Sequence, residues 1–175
     1  MRVLILAEDL YEEMELWYPY YRLLEEKIEV IIAGPGEKKI YTGKNGYPVT
    51  VHTDTTSIKA EDYQGVIVPG GYAPDKLRRY PEILQFIREI NESGKLVVSI
   101  CHGPWVFISA GIMHGRRATA YFAIKDDLIN SGALYLDSEV VVDGNLITSR
   151  APGDLPAFCR EIIAFLQSMD HGAAH

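Results

Sequence analysis

The chain has 175 residues, of which 47% are hydrophobic and 23% are charged. These values are typical of one folded globular domain and exclude a disordered chain. The formal net charge of −7 at pH 7 argues against a nucleic-acid partner, which would favour a basic surface. No apolar run is long enough to span a membrane, and the apolar run over residues 3–7 is too short for a signal peptide. We therefore expect a cytoplasmic protein with no membrane partner.

Short, continuous apolar runs recur along the chain, with turn residues at their ends. Strands that are buried on both faces have this pattern, because helices cover both sides of a parallel sheet. The runs that we interpret as such strands are residues 3–7, 30–33, 66–68 and 96–100.

Helices are predicted between and after these strands. Helical spacing of apolar residues predicts a helix over 13–27, in which Pro19 predicts a kink or a later start. Pro81 has the position of a first helical residue, and it opens a predicted helix over 82–91. Further helices are expected at 104–110, 124–130 and 155–167, and the Asp143-Gly144 pair predicts a β-hairpin near residues 139–149.

This alternation predicts an α/β fold with a doubly wound, mostly parallel sheet sandwiched by helices. Neither a linker nor a repeat interrupts it, so we expect a single domain over 1–169 and a flexible tail over 170–175. Functional sites in such folds lie beyond the carboxyl ends of the strands. Glu12, Gly70, Gly71 and Cys101 each follow a predicted strand, so we expect them at one edge of the sheet.

Cys101 has the sequence context of a nucleophile on a sharp strand-to-helix turn. Ser99 and Gly103 lie two residues before and after it, and such a tight turn needs small residues at these positions. The start of the next helix would favour a thiolate, and its N–H groups could hold an oxyanion. The alternative is a buried structural cysteine, which is our interpretation of Cys159 on its apolar helix.

Several residues are candidates to assist Cys101. His102 could act as base and acid, although only a strained turn would bring its side chain to the thiol. Asp75 either orients that imidazole, from its own or from another subunit, or caps the segment 76–79. The sequence alone favours the cap. Glu12 could be a protonated carboxyl near the thiol, and the Gly70-Gly71 loop could add a backbone donor to an oxyanion.

We expect no cofactor and no metal. The histidines have neither the spacing of zinc ligands nor cysteine or carboxylate ligands near them. The glycine-rich loops that bind nucleotides or dinucleotides are also missing from the sequence.

Taken together, these segments resemble the PfpI-type intracellular cysteine protease family of the ThiJ/PfpI superfamily. The resemblance covers nearly the whole chain, and its most specific part is the combination of Cys101-His102-Gly103-Pro104 with Gly70-Gly71-Tyr72-Ala73-Pro74. It also extends to the segments 11–19, 42–47, 124–132 and 148–155.

The resemblance implies a flavodoxin-like fold that assembles as a dimer or as a hexamer, a trimer of dimers. It implies Cys101 as the nucleophile, His102 as its partner and Glu12 as the carboxyl near the thiol. In the family a glutamate from the neighbouring subunit is the third member of the triad, and this chain has the shorter Asp75 there. Tyr121 matches a tyrosine near the family's site and could contact substrate, or it could be a core residue.

Three functions remain open. The first is a stress-related cysteine hydrolase of the protease type, which attacks the carbonyl or amide carbon of a peptide or small carbonyl compound. The second is a cofactor-independent glyoxalase or deglycase acting on methylglyoxal or glyoxal adducts. The third is a redox sensor or chaperone that uses the same thiol without turnover. A glutamine amidotransferase is excluded, because the chain has no His-x-Glu late in its sequence.

Overall fold

A computed structural model describes residues 1–172 of the chain, with side chains up to 169. Its strands are β1 (Arg2–Leu6), β2 (Glu29–Gly34), β3 (Ile40–Thr42), β4 (Pro48–Thr50), β5 (Thr53–Asp54), β6 (Gly65–Val68), β7 (Leu96–Ile100), β8 (Arg117–Ala118), β9 (Leu134–Tyr135), β10 (Val140–Asp143) and β11 (Leu146–Ser149). Its α-helices are α1 (Glu13–Glu25), α2 (Ala73–Leu77), α3 (Pro81–Glu92), α4 (Pro104–Ala110), α5 (Lys125–Asn130) and α6 (Leu155–Gly172). Single 3₁₀ turns lie at Ala60–Asp62, Phe122–Ile124 and Pro152–Asp154.

The main sheet has seven strands in the order β10-β11-β7-β6-β1-β2-β5. All neighbouring pairs in it are parallel except β10 with β11. Without the two edge strands β5 and β10, the order is 2-1-3-4-5 in chain sequence, which is the flavodoxin-like order. The chain therefore reverses its direction of winding between β1 and β6, and a crevice opens at their carboxyl ends.

Helices cover both faces of this sheet. On one face α1 packs against α6 and β2, and on the other α3 packs against α4 and β7. Every residue of β6 and β7 is buried, which explains why these segments are apolar runs without alternation. The rigid central strands thus fix the loops that follow them.

The predicted fold class is confirmed, and the predicted segments match the main elements. The hairpin β10–β11 forms with Gly144 at a φ of +59° in its turn, as Asp143-Gly144 predicted. Helix α1 begins at Glu13 with Pro19 inside it, so the expected later start does not occur. The sequence did not predict the short helix α2, or the strands β3 and β4 that pair as a small hairpin.

The described part of the chain has no helix that is both long enough and apolar enough to cross a bilayer. Helix α6 continues to Gly172, so it overlaps the tail predicted over 170–175. Residues 173–175 of that prediction lie outside the described residues.

Candidate active site

A cavity of about 540 Å³ lies where the winding of the sheet reverses. Side chains or backbone from the loops after β1, β6 and β7 meet there, as expected for this fold. The lining residues are Leu10, Glu12, Glu15, Lys44, Gly71, Tyr72, Cys101, His102, Trp105, Tyr121 and Pro152. Of the residues predicted for the site, Asp75 and Gly70 are not among them.

Cys101 lies on the predicted sharp turn directly after β7. Its φ of +62° is in the left-handed region, which costs a residue with a side chain about 1–2 kcal/mol. A Cβ on Gly103 would lie 2.5 Å from the Val68 carbonyl oxygen and 2.9 Å from the Cβ of Ser99. This geometry explains the small residues on both sides of Cys101.

A buried carboxyl, that of Glu15, lies against the Cys101 thiol. The Glu15 side chain is fully buried, and its Oε2 accepts a hydrogen bond of 2.7 Å from the Gly70 N–H. Burial, reinforced by the charge of Glu12, raises the pKa of Glu15 to about 8. Glu15 is therefore mostly protonated at pH 7. Its Oε1 is buried without another partner among the described residues and is the atom free to carry the proton.

The thiol itself is held in its neutral form. Burial, together with the Glu15 carboxyl, raises the pKa of Cys101 to about 12. The N–H groups of Gly71 and His102 oppose this rise, because they donate toward the sulfur. These donors favour the thiolate, but desolvation of the buried sulfur outweighs them, and a reactive thiolate at Cys101 stays a prediction. The proton must leave the sulfur as it attacks.

His102 is placed to take that proton. Its Nδ1 lies 3.2 Å from the Cys101 Sγ, so the strained turn does bring the two neighbours together. Burial lowers the pKa of His102, and the positive charge of Lys44 lowers it further. The imidazole is thus neutral at pH 7 and can act as a base.

Aromatic side chains fix the imidazole from two sides. Trp105 meets the His102 ring edge-on with centroids 5.0 Å apart, and Tyr121 lies 5.1 Å away in a tilted arrangement. The Trp105 Nε1 donates to Asp127 Oδ2 at 2.8 Å, and the charge of Asp127 favours the protonated imidazole. Tyr121 is 43% exposed, so it is a cavity wall and not a core residue.

Glu12 lies in the cavity, but it is Glu15 that contacts the thiol. One oxygen of Glu12 caps α1 by accepting from the Met14 N–H at 3.3 Å, and the other forms an ion pair with Lys44. Glu15 lies three residues further along the same helix, so both carboxyls point to the same side. This i, i+3 spacing was the signal in the sequence that could have identified Glu15.

The two glycines after β6, Gly70 and Gly71, have different roles in the site. The Gly70 N–H is bound to Glu15, so the expected role of Gly70 as an oxyanion donor is wrong. A Cβ on Gly70 would also lie 2.6 Å from the Cys101 Cβ, so only glycine fits there. Gly71 directs its N–H toward the sulfur at a φ of +77°, and its expected role as an oxyanion donor stays a prediction.

Asp75 lies in α2 and interacts locally within this chain. It forms an ion pair with Arg79, one turn further along. It does not cap the segment 76–79, because the helix begins at Ala73 and its cap is Tyr72. No carboxylate in the described part of this single chain hydrogen-bonds to His102. A role for Asp75 in a neighbouring subunit therefore stays a prediction.

Comparison with known proteins identifies the chain's relatives. A sequence model described as the DJ-1/PfpI family matches residues 1–165. The chain is 44% identical to "Deglycase PfpI" of Pyrococcus furiosus over 95% of its own length and all of the relative's. It is 37% identical to "Putative cysteine protease YraA" of Bacillus subtilis, over 95% of this chain and 98% of that one.

A solved structure shares the fold at high similarity. It is a two-domain protein of Anabaena variabilis that contains DJ-1/ThiJ/PfpI-like and ferritin-like domains. The TM-score is 0.93 and the identity 42%, over 95% of this chain. The chain spans about half of that protein, 48%, so the likeness concerns one of its domains.

Proposed function

Since the chain belongs to the DJ-1/PfpI family, as the match over residues 1–165 shows, we propose that it is a cysteine enzyme of the glyoxalase or deglycase type. Its substrates would be α-oxoaldehydes such as methylglyoxal, free or as adducts. The observation that carries the proposal is the position of the Cys101 thiol between a neutral base, His102, and a protonated acid, Glu15. Relatives that are named deglycases support it.

The reaction begins with addition of the thiol to the aldehyde carbon. The Cys101 Sγ forms a bond to that carbon while its proton passes to His102 Nδ1. The electron pair of the C=O bond moves to the oxygen, which takes the proton of Glu15. A hemithioacetal, an imidazolium and a Glu15 carboxylate result.

Proton transfers then convert the hemithioacetal into a thioester. The Glu15 carboxylate removes the hydrogen from the aldehyde-derived carbon, and His102 protonates the neighbouring oxygen to give an enediol. Glu15 returns its proton to the neighbouring carbon, while His102 takes the hydroxyl proton as the thioester carbonyl forms. Water cleaves the thioester, giving its proton to Glu15, and the sulfur regains its proton from His102. The sum is methylglyoxal plus water giving lactate, with one carbon oxidised and its neighbour reduced.

Peptide hydrolysis is the second candidate, and the 3.2 Å contact between thiol and imidazole favours it. Amide cleavage requires an imidazolium that protonates the leaving amine, and a carboxylate normally stabilises that imidazolium. Within the described single chain no carboxylate hydrogen-bonds to the His102 ring. Addition to a free aldehyde also forms an imidazolium, but that imidazolium does not have to protonate a leaving amine, so the reaction places a smaller demand on the site.

The test measures lactate formation from methylglyoxal alongside cleavage of a fluorogenic peptide. Wild type, Cys101→Ser and Cys159→Ser are compared; Cys159 is the matched control because it is buried on α6, outside the cavity. Lactate formation that is lost in Cys101→Ser and kept in Cys159→Ser is the expected result. Peptide cleavage with that pattern and without lactate would replace the proposal with the hydrolase. Rapid peroxide oxidation of Cys101 without either turnover would replace it with the sensor.

A further inference from the structure

The tip of the β3–β4 hairpin holds a lysine, Lys44, at the mouth of the cavity. The Lys44 N–H donates to the Tyr11 carbonyl oxygen at 2.9 Å. Next to it, the Asn45 N–H and Nδ2 both donate to the carboxylate of Glu13, at 2.6 and 2.9 Å. A Cβ on Gly43 would lie 2.6 Å from the Glu13 Cδ, so the hairpin fits closely against the start of α1. The backbone that carries Lys44 is therefore fixed relative to the cavity.

The Lys44 ammonium has hydrogen-bonding capacity left for a ligand. Its side chain is 47% exposed, whereas that of its partner Glu12 is 9% exposed and lies behind it. Glu12 is the only ion-pair partner of Lys44 among the described residues, and it occupies one of three N–H donors. The charge of Lys44 also acts on Cys101 and Glu15, which shows that the ammonium lies in the same electrostatic environment as the thiol.

Among the groups that line the cavity, the Lys44 ammonium is the positive charge that an entering anion can bind. The thiol, the Glu15 carboxyl and the His102 imidazole are neutral at pH 7, and the walls include Leu10 and Trp105. Glu12 is the one carboxylate in the cavity lining, and it is already bonded by Lys44 and by the Met14 N–H. An anionic group next to the reacting carbon would therefore find a donor and no competing free anion.

We propose that Lys44 is a specificity-determining residue that binds a carboxylate formed at, or lying within a few bonds of, the carbon that Cys101 attacks. This inference rests on the proposed function, because it assigns Cys101 as the reacting group. The carboxylate has two possible sources with the same chemistry: the hydroxy-acid product of an α-oxoaldehyde, or the C-terminus of a peptide.

The test compares alkylation of Cys101 by iodoacetate, which carries a carboxylate, and by iodoacetamide, which is neutral. Mass spectrometry of the Cys101 peptide gives both rates without any need for turnover. Loss of Lys44 alters the acidity and access of the thiol for both reagents alike, so the ratio of the two rates isolates the carboxylate contact. We expect this ratio to fall about fivefold in Lys44→Met, the effect of one exposed ion pair, and to recover in Lys44→Arg.

Lys76→Met is the matched control. Lys76 is a half-buried lysine that lines a different cavity, beside Glu8 and Tyr80, so its loss is expected to leave the ratio unchanged. An equal ratio in wild type and Lys44→Met overturns the proposal, and so does an equal fall in Lys76→Met. Iodoacetamide alkylation in Lys44→Met that stays confined to Cys101, with the buried Cys159 unreacted, shows that the variant is folded.

Protection experiments distinguish the two sources of the carboxylate. Lactate and lactamide, and a dipeptide with a free or an amidated C-terminus, are tested for their ability to slow the iodoacetamide reaction. Protection by the acid of one pair, absent with its amide and lost in Lys44→Met, identifies the source. Equal protection by acid and amide in both pairs overturns carboxylate binding. Turnover that survives Cys101→Ser would instead refute the proposed function, whatever the alkylation ratio.

Discussion

Replacing the buried acid, Glu15→Gln, is expected to stabilise the fold while it abolishes turnover. The amide keeps the shape of the side chain, and its oxygen can still accept the Gly70 N–H bond. What is lost is the cost of keeping an ionisable group in a fully buried position, together with the acid of the proposed reaction.

The size of this effect follows from the pKa of Glu15, which is about 8 in the fold against an ordinary value of 4.5. A carboxyl whose pKa is raised by folding binds more protons in the folded state, so it reduces stability as the pH rises from 4.5 toward 8. By linkage the cost is about 1 kcal/mol at pH 5, about 3 kcal/mol at pH 7 and about 4 kcal/mol at pH 8. Glu15→Gln removes this cost, so its advantage over wild type should grow by about 3 kcal/mol between pH 5 and pH 8.

Urea unfolding at pH 5, 6, 7 and 8 measures this difference, at one protein concentration and with reductant present. Glu92→Gln, at an exposed position at the end of α3, serves as the control and should follow wild type throughout. If the unfolding free energies of wild type and Glu15→Gln stay parallel across this range, Glu15 is ionised in the fold. Its assignment as the acid of the reaction would then be wrong.

Three further predictions concern the turn, the base and the neighbouring subunit. Gly103→Ala should lower the free energy of unfolding in urea by about 1–3 kcal/mol and displace the thiol, because its Cβ would lie 2.5 Å from a backbone carbonyl oxygen. Gly153→Ala is the control, because open space surrounds Gly153, and it should change neither. In the pH profile of kcat/KM, the acid limb should lie below pH 6.5, because burial and the charge of Lys44 lower the pKa of His102. Lys44→Met should move this limb to higher pH. An acid limb that does not move in Lys44→Met would show that His102 is not the titrating base. If Asp75 completes the site of a partner subunit, specific activity should fall on dilution to a verified monomer, and full activity there would restrict Asp75 to its own helix.

The fold and the position of the nucleophile could be predicted because both depend on local sequence. Buried parallel strands appear as apolar runs, and the turn at Cys101 needs small residues at fixed distances from it. The hairpin β10–β11 was likewise encoded in two adjacent residues. Helix α2 has five residues, too few for a periodic pattern, and it was therefore not recognised.

The surroundings of the nucleophile depend on contacts that sequence spacing does not reveal. Glu15 is bound to Gly70, 55 residues away, and in the sequence it is one of several acids at the start of α1. Lys44 is placed by contacts of its hairpin with Tyr11 and Glu13, about thirty positions earlier. The resemblance to a family indicated Glu12, which shares the helix face but is engaged by Lys44.

The features that make this site costly to fold are the ones that the proposed chemistry requires. Cys101 occupies a left-handed conformation, and Glu15 carries a proton in a place where a carboxylate would be poorly solvated. Because burial raises the pKa of Cys101 well above its ordinary value, the thiol is neutral at pH 7, and in the proposed mechanism the sulfur becomes nucleophilic when His102 removes its proton during attack. The gain in stability and loss of turnover expected together in Glu15→Gln test that connection directly.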